Sequence, residues 1–153
     1  MSTTQPSLPA RVTLVTLGVA DLQRSTEFYR ALGWELSSAS VEGDVSFFRT
    51  AGTVVALWGT RDLAADAGLP ADAADAVSTG FRGVAQSINL ESREAVDAAF
   101  VAAEQAGARI TKAPTETDWG GYSGYFTDPE GHLWEIAHNP FWPLDDRGLP
   151  VLP

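Results

Sequence analysis

The chain has no cysteine, a single methionine and half as many basic residues as acidic ones. The first absence excludes disulfide frameworks, thiolate metal sites and cysteine nucleophiles together. No apolar run reaches the ~18 residues of a membrane span. Met1 to Arg11 lacks the basic-then-apolar pattern of a secretory leader. A cytoplasmic protein without membrane association is therefore expected. Ten Lys and Arg against twenty Asp and Glu give a formal charge of −10. That charge repels phosphate backbones, and no basic stripe offsets it, so nucleic acid is not an expected partner. It favours the approach of a neutral or cationic small molecule. What remains is an ordinary globular composition, 153 residues with 44% hydrophobic and 20% charged, enough chain to bury one core without staples.

Residues 1–11 are polar and read as a flexible tail. Val12–Val19 is a continuous β-branched run, the pattern of a buried strand. Asp21 is placed to cap a helix that carries Phe28 and Tyr29 and stops at Gly33. Strands are expected over Trp34–Ala39, Val45–Thr50 and Thr53–Gly59. The Ala- and Asp-rich segment 60–83 reads as a connector with a short helix at Asp62–Ala67. The first pattern then returns: a strand at Val84–Leu90, then a helix capped by Ser92 with Val96, Ala99, Phe100 and Ala103 on one stripe, ending at Gly107. Strands follow at Ala108–Lys112, Gly121–Thr127 and His132–His138, the last two joined by the turn Asp128-Pro129-Glu130-Gly131. The expected fold is α+β, two tandem β-α-β-β-β modules (12–59 and 84–138) in a single domain over 12–140. Residues 141–153 read as an extended C-terminal tail.

Leu17-Gly18-Val19-Ala20-Asp21-Leu22, with Phe28-Tyr29 and Leu32-Gly33-Trp34, resembles the opening module of the vicinal oxygen chelate superfamily. That is the glyoxalase I, bleomycin-resistance and extradiol-dioxygenase group. Asp128-Pro129-Glu130-Gly131-His132-Leu133-Trp134-Glu135 resembles its second-module hallmark, and Trp119–Phe126 is similar to a glyoxalase-like subgroup. The resemblance spans about residues 12 to 140. It implies sheets curled around a central cavity, a homodimer, and in metal-dependent members four ligands facing the cavity. Glu135 matches the last of these. The first-strand ligand, seven residues before the aspartate, falls on Leu14, and the fourth strand offers Ala56, Leu57 and Trp58. For the third, counting back from Gly107 as Leu14 lies from Gly33 gives Ile88, whereas polar alternation favours Asn89. One carboxylate and an amide do not make a divalent site, so no metal and no cofactor is expected.

His132, Glu135 and His138 do not form a cluster, because alternation along a strand turns the histidines away from Glu135. Glu135 is left as the candidate catalytic residue or ligand anchor, flanked by Leu133 and Ala137. The Trp119–Gly124 glycines neither lead a strand into a helix nor accompany a lysine, so a phosphate loop is not indicated. Trp58 and Trp119 are placed to stack on a planar ligand, and Tyr122 and Tyr125 point to opposite sides of a regular strand. The expected cavity is apolar and lined by Leu14, Thr16, Leu57 or Trp58, Asn89, Trp119, Tyr122 or Tyr125, and Glu135. Two functions fit it. One is metal-free binding of an aromatic or cationic molecule, as in the antibiotic-sequestering members, which share the acidic character. The other is an enzyme, either a metal-independent lyase or isomerase using Glu135, or a glyoxalase-like metalloenzyme in another ligand register.

Overall fold

The β-branched run of the first module becomes strand β1 (Leu14–Val19) in the computed structural model, which describes residues 7–76 and 80–153. Asp21 caps helix α1 (Leu22–Ala31), its carboxylate accepting the Arg24 N–H at 3.0 Å. Gly33 follows with φ of 91°, the left-handed conformation that a glycine adopts without steric cost. Strands β2 (Val45–Arg49) and β3 (Val54–Gly59) complete the first sheet, ordered β1-β3-β2 with β1 parallel to β3. The short helix α2 (Thr60–Asp66) begins two residues earlier than the composition suggested. Residues 77–79 of the connector, like residues 1–6 of the N-terminal tail, lie outside the described residues.

The second module repeats the plan. Strand β4 (Ala85–Asn89) leads to helix α3 (Arg93–Gln105), whose Ser92 cap accepts the Ala95 N–H at 3.0 Å. Strands β5 (Arg109–Glu116), β6 (Tyr122–Thr127) and β7 (Leu133–His138) give a four-stranded sheet ordered β4-β7-β6-β5. The fold is thus α+β, with two mixed sheets that do not close into a barrel. Among the described residues no helix is long and apolar enough to cross a membrane.

Two expected elements take other forms. Trp34–Ala39 makes only one bridge, Leu36 to Phe48, because the serines that follow compete for the ladder. Ser37 N–H still makes a backbone bond to the Phe47 carbonyl at 2.8 Å, but the Ser40 hydroxyl takes the Phe47 N–H at 2.9 Å. The C-terminal segment is a small hairpin rather than an extended tail. Leu144 bridges Pro150, and Asp145 N–H donates to the Leu149 carbonyl at 2.8 Å.

One core spans both modules. Tyr29 is fully buried between Phe28, Trp34, Phe48 and Trp134, and the Trp34 and Trp134 rings meet edge to face at 5.5 Å. The Asp128–Gly131 turn pins the halves together. Asp128 accepts the Glu130 and His132 N–H groups on one oxygen, at 2.9 Å each, and the Tyr29 hydroxyl on the other at 2.6 Å. Trp134 in turn donates its indole N–H to the Tyr29 hydroxyl at 3.1 Å. Glu130 reaches the start of α1, accepting Asp21 N–H and an Arg24 N–H, both at 3.0 Å. Burial alone pushes the Glu130 carboxyl upward, yet the Asp21 and Ala20 amides and Arg24 outweigh it and hold the pKa below the usual value.

Candidate functional site

Strand register decides which side chains can meet. On β7, Trp134 and Ile136 point to the helix-covered core, so Leu133, Glu135 and Ala137 stand on the opposite, outer face. Cross-strand pairing puts Tyr125 of β6 and Ser87 of β4 beside Glu135 on that face. Both donate to it: Ser87 to Oε1 at 2.9 Å and Tyr125 to Oε2 at 2.7 Å. The acceptor bond to Glu135, then burial, then the carboxylate's charge raise the Tyr125 phenol above its ordinary pKa. It therefore stays protonated and oriented. Asn89 lies on the same face, one residue pair along from Ser87, beside Ala137.

In the first sheet the outer face carries Leu14, Thr16, Ala56 and Trp58, since Thr16 pairs with Ala56 and Gly18 with Trp58. Leu14 is 43% exposed, and Trp58 and Thr16 are half-buried. A pocket of about 340 Å3 lies between the two modules, bordered by Val15, Thr16 and Leu17 of β1 and by Gln86, His132 and Leu133.

Other expected residues belong elsewhere. Leu57 is fully buried in the core and pairs with Leu17, so Trp58 takes the outer position and Leu57 does not. Tyr122 stands on the core side of β6. Its hydroxyl donates to Asp97 of α3 at 2.6 Å and Arg93 lies 5.3 Å over its ring, so Tyr125 is the tyrosine on the Glu135 face. The Trp119 ring covers Gly121 so closely that a Cβ there would fall 1.8 Å from it, which makes the glycine a packing requirement. His132 is half-buried and hydrogen-bonds the Gly18 carbonyl at 2.9 Å, while His138 bonds the Leu90 carbonyl at 2.9 Å. The cleft between the modules, about 810 Å3, is lined by Val15, Val55 and Trp34 against Gln86, Ile88 and Trp134, and the edge of β4 brings Ser87 and Asn89 to its border as well.

A glyoxalase/bleomycin resistance protein/dioxygenase superfamily model matches residues 11–136. The chain belongs to that superfamily. A glyoxalase-related enzyme from Fulvimarina pelagi is similar at 30% identity and a TM-score of 0.82, over 94% of this chain and 99% of that one. A glyoxalase/bleomycin resistance protein/dioxygenase from Nocardioides is 27% identical with a TM-score of 0.72, over 88% of this chain and 86% of its own. A lactoylglutathione lyase from Agrobacterium tumefaciens shares the fold at 21% identity and a TM-score of 0.66, over 90% of this chain and 100% of its own. Among curated proteins none matches.

The helix caps give a different count for the third position of the ligand pattern expected from the sequence. Helix α3 has 13 residues against 10 in α1, so a count back from Gly107 runs three residues too far along the chain. Measured from the caps instead, the residue as far ahead of Ser92 as Leu14 is ahead of Asp21 is Ala85, which pairs with Leu133 on the Glu135 face. Ile88 packs against the core instead. Counted in this way, the expected ligand pattern falls on Leu14, Ala56 or Trp58, Ala85 and Glu135. Both Glu135 oxygens receive hydroxyl protons, and among the described residues no three His, Cys, Asp or Glu side chains cluster. This donor set does not fit a divalent metal, which in oxygen and nitrogen sites takes three or more such ligands.

Proposed function

We propose that this chain is a metal-independent member of the superfamily that binds an aromatic or cationic small molecule on the Glu135 face. In this reading residues 12–140 form one ligand-binding domain, and sequestration of an antibiotic-like compound is its role. One observation carries the reading: Glu135 alone keeps a chelating side chain, and it is oriented by two neutral hydroxyls, Ser87 and Tyr125, rather than by metal-binding neighbours. A carboxylate so held has lone pairs left for a cationic or N–H-bearing ligand. Leu14, Thr16 and Trp58 supply the apolar and stacking surface. A homodimer fits, because a second copy covering these half-open faces would desolvate the site. The net charge of −10 favours a cation at long range.

The second reading is a lyase or isomerase with Glu135 as base and Tyr125 as proton donor, favoured by their 2.7 Å hydrogen bond. Against it, a phenol whose pKa is raised is a weaker acid and gives up its proton less readily. A thermal-shift screen of aromatic natural products and small oxo-acids, run with and without a chelator, separates the readings. Stoichiometric stabilisation without turnover, insensitive to the chelator, supports binding. Turnover that Glu135→Gln abolishes while affinity is retained supports the enzyme, and one tightly held metal per chain overturns both.

A further inference from the structure

The cleft between the modules is bordered mainly by core-facing side chains; Glu135 does not line it, although Ser87 and Asn89 reach its edge along β4. At about 810 Å3 it has the volume of a small-molecule site. The indoles of Trp34 and Trp134 and the side chains of Ile88 and Leu90 form apolar walls. Gln86 lines it as well, and among the described residues neither its amide nor the Trp34 indole N–H has a hydrogen-bond partner. By contrast, the Trp134 indole N–H is already committed to Tyr29. Two donors without a protein partner, in an otherwise apolar cleft, are free to bond an acceptor on a ligand. The charged lining residues are two of each sign, Arg49 and Arg147 with Glu35 and Glu91, which gives no preference for a charged ligand. The C-terminal hairpin closes one side, with Leu149 packed on Gly52 and its backbone bonds made within the hairpin.

We propose that this cleft is a second ligand site, selective for a neutral planar molecule that carries a carbonyl acceptor. The indoles provide flat apolar surface, and Gln86 and Trp34 supply the donors.

Three probes test it by calorimetric titration of the full chain: 2-acetylnaphthalene, 2-ethylnaphthalene and 2-naphthoate. The acetyl compound is expected to bind saturably and about three- to tenfold more tightly than the ethyl one, the worth of a single net hydrogen bond. The carboxylate should gain nothing over the ketone. Gln86→Leu should erase the preference for the ketone. Because Gln86 also borders the smaller pocket near Thr16, Leu90→Trp, which fills only the larger cleft, provides the second arm and should abolish binding. Glu135→Gln should leave all three titrations unchanged. Absence of saturable ketone binding, a preference that survives Gln86→Leu, binding that survives Leu90→Trp, or loss of binding in Glu135→Gln would each overturn the proposal.

Discussion

Tyr29→Phe removes one oxygen atom and tests how the two modules are held together. The hydroxyl is fully buried, donates to Asp128 at 2.6 Å and accepts from Trp134 at 3.1 Å. Phenylalanine keeps the ring packing against Phe28, Trp34 and Phe48, so the loss is almost purely polar. A hydrogen bond to a charged acceptor contributes about 1.5–3 kcal/mol, and an indole N–H left unpaired in the core costs about 1–3 kcal/mol. The two losses share one atom and partly relax. Asp128 also keeps the Glu130 and His132 amides on its other oxygen. A net destabilisation of about 3 kcal/mol follows, equivalent to a fall in Tm of roughly 6–12 °C for a domain of this size. Urea unfolding followed by tryptophan fluorescence measures it, with an unchanged m-value expected. Trp134→Phe should cost less in this background than in the parent chain, because the hydrogen bond is already gone and only its ring packing remains to be lost. A loss below 1 kcal/mol would refute the reasoning and show that the aromatic packing alone joins the modules.

Glu130→Gln should flatten the acid limb of the stability curve. Its carboxyl has a lowered pKa in the fold, so its contribution is present above the pKa of an unfolded glutamate and is lost as pH falls through the lower folded value. Thermal melts of both proteins from neutral pH down to about 3 should therefore converge at the acid end, and parallel curves would contradict this. Ser92→Ala should cost about 1 kcal/mol through loss of the α3 cap, measured by chemical denaturation, whereas Ser92→Asp should preserve stability. Gly107→Ala should destabilise by about 1 kcal/mol or more, because φ there is 103° although a methyl group would meet no neighbour. A neutral result would mean that the backbone relaxes at the end of α3.

These predictions also mark what could be read from the chain itself. The caps at Asp21 and Ser92 and the stops at Gly33 and Gly107 are local chemistry, and local chemistry is legible in sequence. So is the parity of β7, which separates Glu135 from the flanking histidines. The positions left open, Leu57 against Trp58 and Tyr122 against Tyr125, are each a question of one strand's orientation, and a single-residue shift exchanges the two faces. They needed the pairing of β1 with β3 and of β6 with β7. The miscount at Ile88 came from an unseen extra turn in α3. Trp34–Ala39 misled because its apolar residues suggest a strand while the serine hydroxyls nearby take the ladder bonds. Glu130 was read only as part of a turn, since its partners at Asp21 and Arg24 lie more than a hundred residues away. The Ser87 hydroxyl on Glu135 was missed for the same reason. Only the β4–β7 pairing sets Ser87 opposite the carboxylate.

The most direct test of the Glu135 site is a calorimetric titration with proflavine, a planar cation bearing N–H donors, against the parent chain, Glu135→Gln and Glu135→Leu. A charge-assisted hydrogen bond contributes about 1.5–3 kcal/mol. Glu135→Gln should therefore weaken binding by roughly 10- to 150-fold and Glu135→Leu by more, with no change on adding zinc, nickel or a chelator. Proflavine affinity that is the same in all three proteins, or that appears only when a divalent metal is added, would contradict the account.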